Sequence, residues 1–185
     1  NVDHILMPRF NGASWPHWNL VDFQPASHRF DAVYGLENFR GKVTFVALLA
    51  AWCGYCRSQA LQLERMRQEL IEAGHEVQFA IINKIDAADP NYQRAMIYIL
   101  NDDGEITYDD ADEPIHRCRF PLFQDTDEVN AWDLHHGAKD DMYIYNQSGK
   151  LATYLPHGGE VNTRLSSEEG YDNVKQAIVA ALAEE

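Results

Sequence analysis

Val43-Thr44-Phe45-Val46-Ala47-Leu48-Leu49-Ala50-Ala51-Trp52-Cys53-Gly54-Tyr55-Cys56-Arg57 passes without a break from a run of β-forming apolar residues to two cysteines separated by two residues. A continuous apolar run, Val43 to Leu49, reads as a strand buried on both faces. Directly after the cysteines, Ala60, Leu63, Met66 and Leu70 recur at three- and four-residue spacing, while Arg57, Glu64, Arg67 and Glu69 take other faces. That spacing predicts an amphipathic helix, ended near Gly74. Val77-Gln78-Phe79-Ala80-Ile81-Ile82 supplies a second buried strand. Strand, helix, strand in this order predicts a right-handed βαβ unit with a parallel pair, and it puts the cysteines at the start of the helix.

Outward from this unit the signals are weaker. Leu36 to Lys42 reads as a turn feeding the first strand. Residues 1–15, with Pro8 and Gly12 and no period, read as an irregular arm, after which Trp15, Trp18, Phe23 and Phe30 are expected to cover one edge of a sheet. Tyr92 to Leu100, beyond Pro90, suits a helix, although its β-branched and aromatic residues leave a strand open. Asn101 to Glu113 is dense in Asp and Glu and reads as an exposed acidic loop. Pro121 to Asp125 suggests a short strand, followed by a helix through Val129, Trp132 and Leu134. Met142-Tyr143-Ile144-Tyr145 and Leu151 to Leu155 flank Asn146-Gln147-Ser148-Gly149, a strong hairpin signal. Tyr171, Val174, Ile178 and Leu182 predict a final amphipathic helix. With no repeats and no low-complexity segment, the chain reads as a single α/β domain over 1–185, a mixed sheet between helices.

Composition bounds the function. The 185 residues, 45% hydrophobic and 24% charged, suit one domain with a real core. A formal charge of −14 opposes non-specific nucleic-acid binding and anionic membrane surfaces, both of which depend on clustered Lys and Arg. No apolar run approaches the roughly 20 residues that span a bilayer, so membrane insertion is not expected. The chain opens at Asn1 without the basic and apolar regions of a signal peptide, which leaves open a leader removed before this numbering and does not place the protein in the cytoplasm.

Three cysteines are too few for a disulphide scaffold. Thiol-disulphide exchange needs a thiolate to attack and a second thiol to resolve the mixed disulphide. A CxxC at a helix start meets both needs: one turn brings the sulphurs together, and the unpaired N–H groups of the helix start stabilise the first thiolate. Cys53 is therefore the expected nucleophile and Cys56, one turn deeper, the resolving thiol. CxxC is also half of many zinc sites, but those need a second CxxC or a spaced His pair; His116-x-Cys118 and His135-His136 have no such spacing, and no metal or cofactor is expected. A structural disulphide would restrict the unfolded chain little across so short a loop. Cys118 reads as a buried inert thiol. Trp52 is expected either to form an apolar rim for docking substrate or simply to pack. Gly54 and Tyr55 separate the cysteines, and Arg57 either supports the thiolate or is an exposed helix arginine. His75 and His157 are expected in solvent, and the acidic run 102–113 lacks the regular ligand alternation of a calcium loop.

Phe39-Arg40-Gly41-Lys42-Val43 followed by Ala51-Trp52-Cys53-Gly54-Tyr55-Cys56-Arg57 resembles the thioredoxin-like extracytoplasmic oxidoreductases. Over roughly residues 36–155 the longer similarity is to the N-terminal domain of the selenoprotein P family, carried by the run Val46-Ala47-Leu48-Leu49 and by Trp132-Asp133-Leu134 through Gly137-Ala138-Lys139-Asp140-Asp141-Met142-Tyr143-Ile144-Tyr145 and Gly149. The resemblance implies a thioredoxin-like fold and a secreted or periplasmic location. Cys53 stands where the selenoprotein has selenocysteine, and the His-rich and selenocysteine-rich portions associated with selenium transport are absent from these residues. Where most thioredoxin folds carry a cis-proline facing the redox pair, this chain has Asp140 or Asp141; either acid would raise the pKa of a neighbouring thiol, or else point to water.

The expectation is thus a thiol-disulphide oxidoreductase acting on protein or small-molecule disulphides and exchanging electrons with a redox partner. A thiol peroxidase like the glutathione peroxidases is the alternative enzyme, although the Gln, Trp and Asn groups it needs are not located. A selenium- or metal-binding protein using the cysteines as ligands is the alternative of another class.

Overall fold

The computed structural model describes residues 9–183. Residues 1–8 of the expected arm lie outside them; residues 9–15 carry turns and one isolated bridge, Ser14 to Lys150, as an irregular arm should. Two short strands that the sequence did not announce come next, β1 (Leu20–Asp22) and β2 (Val33–Tyr34). The expected βαβ unit follows as β3 (Val43–Leu49), α1 (Gly54–Glu72) and β4 (Val77–Asn83). After it come α2 (Pro90–Ile97), β5 (Leu122–Gln124), α3 (Ala131–Leu134), the hairpin β6 (Met142–Tyr145) and β7 (Leu151–Leu155), and α4 (Glu168–Leu182).

The strands form one seven-stranded mixed sheet in the order β2-β1-β5-β4-β3-β6-β7. Only β3–β4 and β4–β5 are parallel; β6 returns antiparallel to β3, with Ala47 opposite Met142. All seven residues of β3 are buried, because the strand is central and both faces are covered. Val43, Phe45, Ala47 and Leu49 face a helical layer to which α1 contributes Ala60, Leu63, Met66 and Leu70 and α4 contributes Val174 and Ile178. Val46 and Leu48 face a second layer of Trp15, Trp18, Leu36, Trp132 and Tyr145.

Several expectations need correction. Trp15 and Trp18 cover a face of the sheet rather than an edge, and Phe30 points outward at 53% exposure. Trp15 packs so closely under the hairpin turn that a Cβ on Gly149, itself at φ +74°, would lie 2.7 Å from its ring. The segment with the helix-or-strand ambiguity is both: α2 stops at Ile97, and Tyr98 and Leu100 pair with His116 and Ile106. The acidic stretch is accordingly not a plain loop; Asn101 and Asp109 each fold a turn by accepting two backbone N–H groups. The helix expected through Val129 is one turn long and excludes Val129. The buried Asp125 carboxylate stops it there by taking the N–H groups of Ala131 and Trp132. Glu64 is not on a solvent face of α1: it is buried and holds Arg67, Gln68 and the N–H of Arg119.

The second layer contains a buried histidine. His135 has no exposed surface; Trp18 Nε1 donates to its Nε2 at 3.1 Å, and the Tyr145 hydroxyl lies 3.2 Å from Nδ1. Burial drives its pKa down to about 3. For a base so depressed, the unfolded chain binds the proton first, so the stabilisation is complete above about pH 6.5 and is lost as pH falls toward the folded value. The expected slope is about 1.4 kcal/mol per pH unit in that window. Denaturant unfolding of the parent and of His135→Gln between pH 6.5 and 4.5 measures it: the parent should lose stability more steeply, and parallel curves would show that the ring accepts a proton in place.

Candidate active site

α1 opens at its N-cap, Cys53, whose extended backbone (φ −88°, ψ 118°) turns the thiol back onto the helix. Cys53 Sγ accepts the N–H of Cys56 at 3.4 Å, the interaction an N-cap oxygen makes elsewhere. The segment before it is fixed from β4, where the buried Asn83 side chain accepts the N–H of Ala51 and donates to Ala87 and Gln124. Cys53 is half-buried, while Cys56, one turn further, is fully buried, as the spacing predicts.

The loop between α3 and β6 brings two more groups to the sulphurs. Leu48 accepts the N–H of Asp140 and donates to the carbonyl of Asp141, so the loop continues the β3–β6 ladder. Lys139 Nζ is 3.6 Å from Cys53 Sγ, 3.9 Å from Cys56 Sγ and 2.6 Å from Asp140 Oδ2. Asp140, with no exposed side-chain surface, receives the Cys56 thiol on Oδ1 at 3.1 Å. It also adopts a left-handed backbone, φ +72°, which a short polar side chain tolerates better than most.

This arrangement splits the two thiols. Burial acts to raise the Cys53 pKa and Asp140 adds to that, but the N–H and thiol of Cys56 and the charge of Lys139 outweigh both and leave it below the ordinary thiol value. Cys56 goes the other way: burial dominates, and the Asp140 charge and hydrogen bond push it further up. Lys139 stays charged, since its bond to Asp140 and the neighbouring sulphurs overcome its own burial.

The two acids have different roles. Asp140 reaches the pair through Cys56, not directly through Cys53. Asp141 is buried but faces neither sulphur nor water; it ties the loop together by accepting from Ala138 N, Tyr154 Oη and His157 N. Trp52 is part of the rim, 39% exposed, with its indole N–H on Asp86 and Lys84 over its ring. Tyr55 is half-buried, its ring 5.8 Å from the otherwise exposed His157 and 5.9 Å from Lys139. Gly54 is exposed at the start of α1. Arg57 makes no hydrogen bond to either sulphur among the described residues; Lys139 supplies the cation for which Arg57 was a candidate. The sequence signal for Lys139 was its place in the Lys-Asp-Asp element; Asn83 had none beyond being a polar end to an apolar strand.

The other arrangements are not assembled. Among the described residues no group of three His, Cys, Asp or Glu side chains is arranged to hold a metal ion, and His116, Cys118, His135 and His136 do not form such a group. Among the described residues the Gln, Trp and Asn set of a peroxidase makes no hydrogen bond to Cys53, and Trp52 and Asn83 are engaged with Asp86 and with the N–H of Ala51. Cys118 is fully buried against Gln24 and the Met96 carbonyl, and burial raises its pKa. Cys118→Ser should leave disulphide reduction per folded molecule within about twofold of the parent; a large loss in insulin reduction with an unchanged unfolding midpoint would instead make it a third redox member.

A family model described as "Selenoprotein P, N terminal region" matches residues 14–158. Selenoprotein P of Mus musculus is 26% identical over 141 residues, which are 76% of this chain and 30% of that protein. Selenoprotein Pb of Danio rerio is 28% identical over 121 residues, 65% of this chain and 40% of that protein. The chain therefore spans less than half the length of the curated relatives it matches. Among solved structures, the thioredoxin domain of a thiol-disulfide oxidoreductase from Bacteroides vulgatus superposes with a TM-score of 0.60 at 13% identity, covering 91% of this chain and 98% of that one. A secreted Mycobacterium tuberculosis disulfide oxidoreductase superposes with a TM-score of 0.58 at 14% identity over 88% of this chain and 95% of its own. At such identities the structural matches establish the thioredoxin-like fold.

Proposed function

The chain belongs to the selenoprotein P N-terminal family, and from that membership and the asymmetry of its two thiols we propose that it is a thiol-disulphide oxidoreductase with Cys53 as nucleophile and Cys56 as resolving thiol. The observation that carries the reading is the division of partners: Cys53 Sγ has a helix N–H and Lys139, whereas Cys56 Sγ has the Asp140 carboxylate. Cys53 enters the reaction as a thiolate, because N–H and ammonium groups stabilise its charge. It attacks one sulphur of a substrate disulphide, forming a mixed disulphide and expelling the other sulphur as a thiolate. Cys56 then passes its proton to Asp140 and attacks Cys53 Sγ, closing the Cys53–Cys56 bond and releasing the second substrate thiolate. Two electrons leave the pair and reduce the substrate; a redox partner reverses the change.

Lys139 serves both steps, since its charge compensates the thiolate at Cys53 and the carboxylate at Asp140. Trp52 gives the substrate an apolar rim beside Cys53. The substrates proposed are protein or small-molecule disulphides, and the location is extracytoplasmic, supported by the likeness to a secreted oxidoreductase. Among the described residues no helix is long and apolar enough to cross a membrane. Thiol trapping across a redox-buffer series tests the reading: the pair should interconvert as one two-electron couple with a defined potential. Cysteines that stay reduced throughout the series, or that oxidise independently of each other, would overturn it.

A further inference from the structure

Beside the redox pair, between the start of α1 and the segment that follows β7, lies a cleft of about 500 Å³. Its walls include Tyr55, Lys139, Asp140, His157, Asn162 and Arg164. A chain of net charge −14 thus places two permanent cations and a histidine around one cavity. The only carboxylate in the lining is Asp140, and it is paired with Lys139 at 2.6 Å. Arg164, exposed in the same lining and beside the Tyr55 hydroxyl, makes no ion pair among the described residues. The Tyr55 ring lies within 6 Å of Lys139 and of His157. The Asn162 side chain in the lining is engaged, donating to Glu169 Oε2 and accepting from the Arg164 backbone N–H, and with Lys139 paired to Asp140 the Arg164 guanidinium is the cleft's cation without an ion-pair partner among the described residues.

We propose that this cleft seats the carboxylate of a low-molecular-weight anionic disulphide, with Arg164 as its anchor and the substrate's sulphur directed at Cys53. The cavity volume lies in the range of small-molecule sites, and a planar guanidinium is suited to bidentate carboxylate recognition. The inference rests on the exchange chemistry proposed above and adds the substrate class. The step is the same and balances in the same way: the reduced pair gives two electrons to the small disulphide, whose two halves leave as carboxylated thiols.

The experiment uses the pre-reduced protein in single-turnover reactions with three probes: dithiodipropionate (anionic), hydroxyethyl disulphide (neutral) and cystamine (cationic). Comparing Arg164→Gln with the parent on each probe cancels intrinsic reactivity. The expected result is a loss of about five- to tenfold for the dipropionate, through weaker binding, a much smaller change for the neutral probe and a gain for the cationic one. The dipropionate advantage should also shrink with added salt. Equal losses on all three probes, or no loss on the dipropionate while the neutral probe still reacts, would overturn the cleft assignment and favour larger protein disulphides docked on the Trp52 rim. Failure of the parent to react with even the neutral probe would overturn the exchange reading itself.

Discussion

Cys53→Ser is expected to abolish reduction of insulin disulphides, a loss of roughly a thousandfold or more, because no other sulphur in the described structure can attack. Cys56 and Cys118 are both fully buried, and burial raises the pKa of each. Cys56→Ser should behave differently. It leaves the half-buried Cys53 with its N–H and Lys139 partners, so attack continues, but the mixed disulphide has no internal thiol to resolve it. Covalent adducts of protein and substrate should therefore accumulate, visible on non-reducing gels and by intact mass. Full activity in Cys53→Ser together with an inert Cys56→Ser would reverse the two roles.

Asp140→Asn should separate the two half-reactions. Its carboxylate opposes a negative charge on either sulphur, so neutralising it should lower the Cys53 pKa by about half to one unit. Alkylation rate against pH reads that shift directly. Resolution should slow by something on the order of a hundredfold, because Cys56 loses the group that receives its proton. The variant thus attacks faster below neutrality yet holds its mixed disulphide longer, a combination that a merely damaged fold would not give. Asparagine tolerates the left-handed backbone at this position, so the exchange adds little strain. Unchanged resolution in Asp140→Asn would remove Asp140 from the proton path. Asp141→Asn should instead cost stability without moving either rate, since among the described residues that carboxylate accepts from Ala138, Tyr154 and His157 and from neither sulphur.

The centre of the fold was legible because its signals are local. The unbroken run Val43 to Leu49, the three-and-four spacing from Ala60 to Leu70 and the turn Asn146 to Gly149 each report burial or backbone geometry within a few residues. β1 and β2 were not legible: strands of three and two residues carry no period, and their pairing with β5 is decided by distant partners. The exclusion of Val129 from α3 is not legible locally, because the capping carboxylate, Asp125, lies six residues before the N–H it accepts. At the site, the positions of Cys53 at the helix start and Cys56 one turn deeper, on which their proposed roles rest, were legible from the spacing. The partners of those sulphurs did not, since Lys139 and Asp140 reach them only through the antiparallel return of β6 beside β3. The resemblance points to the acid pair, but which member faces the sulphurs is a matter of strand register, and register is set by the whole sheet.

The opposite displacement of the two thiol pKa values also sets how many protons travel with the electrons. When both thiols are protonated, reduction of a disulphide takes up two protons with its two electrons, and the midpoint potential falls by about 59 mV per pH unit. Here the Cys53 value is lowered and the Cys56 value raised, which opens a broad interval in which the reduced centre is one thiolate and one thiol. Across that interval only one proton accompanies two electrons, and the slope halves to about 30 mV per unit. A centre built this way holds its potential more nearly constant while the acidity around it changes.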